Sequence, residues 1–142
     1  MPQAFRDGVR LYYEVHGQTD AAETVVFCNG VMQSVDAWKN QVKAFGVLPV
    51  RIILTDFRGQ LKSDAPQDAP YTFEMHALDL ACVLDTAGVQ DAHLIGTSYG
   101  GVVAQFFCLA FPARVRSLTL IDSTARIGAL ASTKAAVWKR LL

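Results

Sequence analysis

Apolar residues in this chain come in short runs between polar, turn-forming stretches. Their spacing switches between a strand-like period of two and a helix-like period of about 3.6 residues. Ala4 to Arg6 and Val9 to Val15 form two strand-like segments, and the Asp7-Gly8 pair between them predicts a tight hairpin turn. Thr24 to Cys28 is a short apolar, β-prone run that ends at Asn29-Gly30. Asp36 is placed to cap a helix running to Phe45, with Trp38, Val42 and Phe45 on one face and Gly46 as its stop. Val50 to Leu54 predicts another strand, followed by the polar loop Asp56 to Pro70. Thr72 begins a longer helix through Thr86, closed by Gly88, and Ala92 to Ile95 predicts a strand. Tyr99 to Phe111 reads as a helix with Pro112 just past its end. Val102, Val103, Phe106, Phe107 and Ala110 make it apolar over most of its circumference, which predicts burial on most sides. Val115 to Ile121 is the last strand, and Ala129 to Leu142 looks helical.

Strands alternating with helices predict an α/β fold with a mostly parallel sheet flanked by helices on both faces. In such sheets the chemistry gathers beyond the carboxyl ends of the strands. Three informative segments fall there: Asn29-Gly30-Val31, Asp56 to Ser63, and Gly96 to Gly101.

Composition narrows the class. A length of 142 residues fits one domain. With 51% hydrophobic and 18% charged residues, the chain is too apolar to be a disordered protein. Thirteen Lys and Arg balance thirteen Asp and Glu, so no basic surplus exists for nucleic acid. The longest uncharged apolar run, Gly100 to Phe111, is short of the roughly 20 residues that span a bilayer. Met1 to Arg10 has no apolar stretch of signal-peptide type. Cys28, Cys82 and Cys108 are odd in number, widely spaced and set among apolar residues. They read as buried free thiols in a reducing, cytoplasmic setting, without the paired spacing of a zinc site. Neither a metal nor a cofactor is expected.

Gly96-Thr97-Ser98-Tyr99-Gly100 fits the pattern G-x-S-x-G. In a nucleophile elbow the serine occupies a strained turn between strand and helix, and small residues two positions away on each side let the backbone make it. The bare pattern is short enough to arise by chance. Its setting carries the weight: a strand directly before it and an apolar helix directly after.

With this segment in view, the chain resembles the α/β-hydrolase family. Val25 to Val31 resembles the family's third strand and the oxyanion loop after it. Asp56-Phe57-Arg58-Gly59 with Ser63 resembles the D-x-R-G-x-G-x-S stretch after the fourth strand, with Leu61 in place of the second glycine. Thr72 to Gly88 matches the next helix, and Val115 to Asp122 the sixth strand. Asn29 and the segment Asp122 to Gly128 look most like 3-oxoadipate enol-lactonases and related small esterases, although Tyr99 departs from their methionine. The resemblance implies a serine hydrolase of small-molecule carboxylic esters or lactones. Ser98 would attack the carbonyl, and the backbone N–H groups of Tyr99 and Val31 would hold the oxyanion.

The family's triad order is Ser, then Asp or Glu, then His. No histidine follows Ser98. His16 ends an early strand, His76 lies on the helix from Thr72, and His93 sits on the strand before the elbow. At about 3.3 Å per strand residue, His93 should lie roughly 15 Å from Ser98. Surface or structural roles are expected for all three. Asp122 ends the sixth strand, where some family members carry the triad acid; the alternative is a loop aspartate bonding nearby backbone N–H groups. Asp56 and Arg58 are expected to order their loop, and Trp38 and Trp138 to pack in a core or lid.

The expected organisation is therefore a partial α/β-hydrolase fold lacking its last two strands. Residues 1–128 would form the N-terminal part of the core and 129–142 the start of a lid helix. Its sixth strand would be an open edge, which predicts self-association or pairing with a complementary C-terminal fragment. The 142 residues alone would then be inactive for want of the base. The competing reading is a non-catalytic, hydrolase-like binding or assembly module. A nucleotide-binding domain fits less well, because Ser98 occupies the second glycine position of G-x-G-x-x-G.

Overall fold

A computed structural model describes residues 2–68 and 71–125. Pro70, Trp138, the 128/129 boundary and the helix expected from Ala129 lie outside the described residues. Within them, six strands form one sheet: β1 (Gln3–Arg6), β2 (Val9–Gly17), β3 (Glu23–Cys28), β4 (Val50–Thr55), β5 (Ala92–Thr97) and β6 (Val115–Ile121). Three helices accompany it: α1 (Lys39–Phe45), α2 (Phe73–Thr86) and α3 (Tyr99–Ala110). The strand order is β1-β2-β4-β3-β5-β6. β1, β2 and β4 pair antiparallel in turn, whereas β4, β3, β5 and β6 are parallel. The hairpin turn forms where Asp7-Gly8 predicts it, with φ of 52° and 76° at the two residues, as a two-residue turn with both central residues left-handed requires.

The central parallel strands β3 and β4 are buried on both faces, yet the alternation of side chains along the sheet still divides the core. Val26, Cys28, Ile53 and Leu94 join Leu80, Leu84, Val103 and Phe107 in a cluster under α2 and α3. Val25, Phe27, Ile52 and Leu54 form a second cluster with Val35, Trp38, Val42 and Phe45 on the α1 side. The Phe27 and Trp38 rings meet with centroids 4.7 Å apart. Trp38 thus takes the core position expected of it.

Two local expectations need correction. The helix expected from Asp36 instead begins as a 3-10 turn over Val35–Trp38, and its N-cap is Ser34, whose hydroxyl accepts from Asp36 N at 3.3 Å. The reason is tertiary: Asp56 Oδ1 accepts from Val35 N (2.8 Å), and Asn29 Oδ1 accepts from Trp38 Nε1 (2.7 Å). These two anchors fix the turn earlier and tighter than local pattern implies. α3, in turn, is buried along Gly100, Gly101, Val103, Ala104 and Phe107 but open along Leu109, which is 80% exposed.

The ladder registers place the site. Cys28 pairs with Thr55 on one side and Gly96 on the other, and Thr97 pairs with Ile121. The next residues along these strands are Asn29, Asp56, Ser98 and Asp122. All four leave the sheet at its carboxyl edge, where the sequence places the chemistry.

Candidate active site

Ser98 has φ 49° and ψ −116°, a strained conformation for a residue with a Cβ. Such backbone states cost about 1–3 kcal/mol and persist only where their surroundings over-determine them. Here they do. Ser98 N donates to Ile121 O (2.9 Å), while its carbonyl accepts from Gly101 N (3.1 Å) and from Ser123 Oγ (2.9 Å). The two flanking glycines are required by contact. A Cβ on Gly96 would stand 2.6 Å from Gly101 Cα, and one on Gly100 would run into the carbonyl oxygens of Cys28 and Asn29. α3 therefore packs against the end of β3 only because position 100 has no side chain. Ser98 itself is exposed, and its hydroxyl has no hydrogen-bond partner among the described residues.

The loop after β3 is held from several directions. The buried Asn29 amide donates to Thr55 O (2.9 Å), Asp56 Oδ1 (2.9 Å) and Gln60 Oε1 (3.3 Å). Gln60 Nε2 donates to Gly30 O (3.0 Å), and Gln33 Oε1 accepts from Gly30 N (2.7 Å). Asp56 Oδ2 also accepts from Lys62 N (3.1 Å). Arg58 grips Asp79 on α2 through Nε (2.8 Å) and a terminal nitrogen (2.7 Å). Asp56 and Arg58 thus order their loop, as expected. With this scaffold in place, the N–H groups of Val31 and Tyr99 donate to no described acceptor.

Val31 and Tyr99 border one open cavity of about 670 Å³, whose other walls include Phe57, Leu61, Tyr71 and His76. Ser98 immediately precedes Tyr99 in the chain, and Asp122 follows the Thr97–Ile121 rung beside it. Asp122 is exposed with φ 47°, and its carboxylate accepts no hydrogen bond from a described residue.

The histidines divide. His16 meets Glu14 (2.8 Å), and His93 lies between Ser117 (2.7 Å) and Glu23 (2.9 Å), structural positions as expected. Of the surface or structural role expected of it, His76 does not take the surface one. It is buried, it lines the cavity, and its Nδ1 has no partner. Burial pushes its pKa below the ordinary histidine value and raises that of the Tyr99 hydroxyl. The three cysteines are free, but only Cys28 is fully buried; burial pushes its thiol up to about 12.

Sequence reasoning missed His76 and Asp79, although a signal existed: both interrupt the apolar face of α2 at inward positions. Gln60 and Ser123 carry no local signal, because each acts on a residue distant in sequence.

Among the described residues no cluster of three potential metal ligands is present, and no helix is long and apolar enough to cross a membrane.

Comparison with known proteins agrees with this geometry. A family model described as "alpha/beta hydrolase fold" matches residues 23–141. A putative carbamate hydrolase RutD of Azorhizobium caulinodans is 35% identical over all of this chain, which covers 52% of that protein. A 2-hydroxy-6-oxononadienedioate/2-hydroxy-6-oxononatrienedioate hydrolase of Paraburkholderia phymatum is 36% identical over 80% of the chain, which covers 40% of that protein. Among solved structures, the enol-lactonase from Burkholderia xenovorans LB400 superposes with a TM-score of 0.86 at 29% identity, over 98% of this chain and 54% of that one. The chain thus spans about half the length of these relatives.

Proposed function

Because this chain belongs to the alpha/beta hydrolase family, we propose that it carries the nucleophile and oxyanion half of a serine hydrolase acting on small-molecule carboxylic esters or lactones. The observation that carries this reading is the conformation of Ser98, φ 49° and ψ −116°, at the head of α3 beside two uncommitted backbone donors. In the reaction, Ser98 Oγ bonds to the substrate carbonyl carbon as a base takes its proton. The carbonyl π pair moves onto oxygen, and the Val31 and Tyr99 N–H groups receive that charge. Losing one such donor typically costs about 3–4 kcal/mol of transition-state stabilisation. The N-terminus of α3 adds positive potential at the same place. Collapse expels the alkoxide, which takes the proton, and water then releases the acyl group by the same route. Asp122 is the acid of the triad in this reading, orienting the base from the end of β6.

The base is the part that these residues do not supply. No histidine follows Ser98, and none of the three that precede it hydrogen-bonds the Ser98 hydroxyl. The expected consequence is an unactivated serine in the chain alone. Leu120 and Ile121 on β6 are 43% and 44% exposed, a face for self-association or a complementary C-terminal fragment. Size-exclusion chromatography of the chain should show a species larger than 15.5 kDa; a stable monomer that binds no apolar dye refutes this part.

The test of the chemistry is intact-mass measurement with a fluorophosphonate probe, with Ser98→Ala as control. A single adduct that Ser98→Ala abolishes, appearing when the base-bearing partner is present, supports the hydrolase. No adduct under any pairing favours a non-catalytic module, the reading that the unpartnered Ser98 hydroxyl supports.

A further inference from the structure

The cavity that Val31 and Tyr99 border is mostly aromatic and aliphatic, and several of its polar side chains are engaged by the protein itself. Gln60 is used at both ends, by Phe57 N and Asn29 on its oxygen and by Gly30 O on its nitrogen. Gln33 accepts from Gly30 N, Tyr71 donates its hydroxyl to Pro66 O (2.8 Å), and Arg58 is paired with the buried Asp79. Four groups are left, and Gln33 Nε2 and Arg58 Nη1 are two of them. Neither ring nitrogen of His76 has a partner among the described residues, and neither does the Tyr99 hydroxyl. The two rings stand edge to face with centroids 5.6 Å apart, and both border the cavity. His76 is 2% exposed. Nδ1 is sealed from solvent, whereas Nε2 is not among the buried unpartnered atoms, so Nε2 is the ring nitrogen that a molecule in the cavity can reach.

We infer that His76, with Tyr99 beside it, is a specificity-determining residue that hydrogen-bonds a neutral hydroxyl or carbonyl group on the acyl part of the substrate. This rests on the reading of the cavity as the acyl site of an ester or lactone hydrolase. The cavity walls favour an acyl group with a flat or branched apolar body, which Phe57, Tyr71, Leu61 and Val31 contact. The polar group it carries is neutral for two reasons. Burial disfavours the charged form of His76 and outweighs the opposing pull of the Asp79 carboxylate, with the Arg58 guanidinium adding to the effect of burial. Arg58, the cation in the lining, already has its charge balanced by Asp79 at 2.7 Å. A neutral imidazole offers one donor and one acceptor, which suits a hydroxyl or a keto oxygen. A carboxylate would have to compete with Asp79 for Arg58.

The experiment measures binding of methyl phenylpropanoate and its para-hydroxy and para-carboxy analogues to the full chain. It uses a Ser98→Ala background, so that turnover plays no part, and compares His76 with His76→Leu. One additional hydrogen bond in a dry site should make the para-hydroxy ester bind about tenfold tighter than the plain ester. His76→Leu should bring that ratio to about one while the melting temperature holds or rises, since an unsatisfied nitrogen is removed. Where His76→Leu fails to fold, nitrogen NMR of the His76 ring serves instead: its resonances should move with the para-hydroxy ester and stay with the plain one. A ratio that survives His76→Leu, a ring that does not respond, or tightest binding by the para-carboxy ester overturns the inference. The hydrolase reading is separable. Ser98 labelled by fluorophosphonate together with no His76-dependent ratio overturns this inference alone. A Ser98 that stays unlabelled under every pairing, with no ester bound, removes both.

Discussion

Asn29→Ala should be among the most damaging single substitutions near the site, although Asn29 is fully buried behind the oxyanion loop. Its amide nitrogen serves Thr55 O, Asp56 Oδ1 and Gln60 Oε1, and its oxygen accepts from Trp38 Nε1 at 2.7 Å. After truncation, Asp56 Oδ1 keeps Val35 N, and Gln60 Oε1 keeps Phe57 N. The Trp38 N–H has no such second partner and becomes an orphaned donor beneath α1. One orphaned buried donor plus weakened acceptors amounts to about 2–4 kcal/mol, a large share of the ~5–15 kcal/mol that holds a domain together. Urea denaturation followed by circular dichroism measures the loss directly. The reasoning makes a sharper claim through Trp38→Phe, which removes the N–H and strands only the Asn29 oxygen. The double variant has neither orphan, so its cost should fall short of the sum of the singles by at least about 1 kcal/mol. Costs that add to within about 0.5 kcal/mol, or an Asn29→Ala cost below about 0.5 kcal/mol, would refute the network as described.

Three further outcomes follow from particular contacts. Gly100→Ala should prevent α3 from seating on β3, because the new Cβ meets the Cys28 and Asn29 carbonyls; the soluble yield or melting temperature of the variant should collapse, whereas Gly88→Ala, with open space around it, should cost only its left-handed backbone strain. His76 has a folded pKa below its ordinary value, so below about pH 6.5 the unfolded chain takes up a proton that the folded chain refuses. Stability should therefore fall as pH drops from 7 through that value, and His76→Leu should flatten this part of the profile; an unchanged slope counts against burial of the neutral ring. Cys28, raised to about 12, should resist iodoacetamide at mildly alkaline pH in the folded chain and react after urea unfolding.

Much of this architecture is legible from residue pattern because it is set locally. The last strand spans Val115–Ile121 in sequence and structure alike, and α3 begins at Tyr99. Glycines on either side of Ser98 permit a sharp turn there, and strand and helix period change across it. The N-cap at Ser34 is not legible in the same way. Ser34 and Asp36 are both competent caps, and the choice is made by Asp56 and Asn29, which reach Val35 and Trp38 across 21 and 9 residues of sequence. His76 and Asp79 are an intermediate case. The face of α2 that carries Phe73, Ala77, Leu80 and Leu84 also carries His76 and Asp79, so helical periodicity already marks them as inward-facing. Residue type argues against burial and periodicity for it; the Arg58 and Arg6 partners of Asp79 decide in favour of periodicity there.

The distribution of parts around Ser98 has a consequence for how the activity is assembled. The strain at Ser98 is held by Ile121 and Ser123, and the oxyanion loop by Asn29, Gln33 and Gln60. Every one of these contacts lies between β3 and the residues just after β6. In the proposed hydrolase, the geometry that is hard to improvise is therefore built without any base being present. Such preorganisation gives most when the donors are already aimed before charge develops. A base, in contrast, has to satisfy one distance to Ser98 Oγ and one to its own orienting acid. Supplying the base from another segment or subunit thus needs only a docking surface beside β6 and the cavity, with no rearrangement of the elbow. On this argument, fluorophosphonate reactivity gained on adding such a partner should appear with the Ser98 backbone unmoved. Amide chemical shifts of Gly96 to Gly101 that stay in place while Leu120 and Ile121 shift would be its signature. A wholesale shift of the elbow amides would instead mean that the nucleophile is formed only in the assembly.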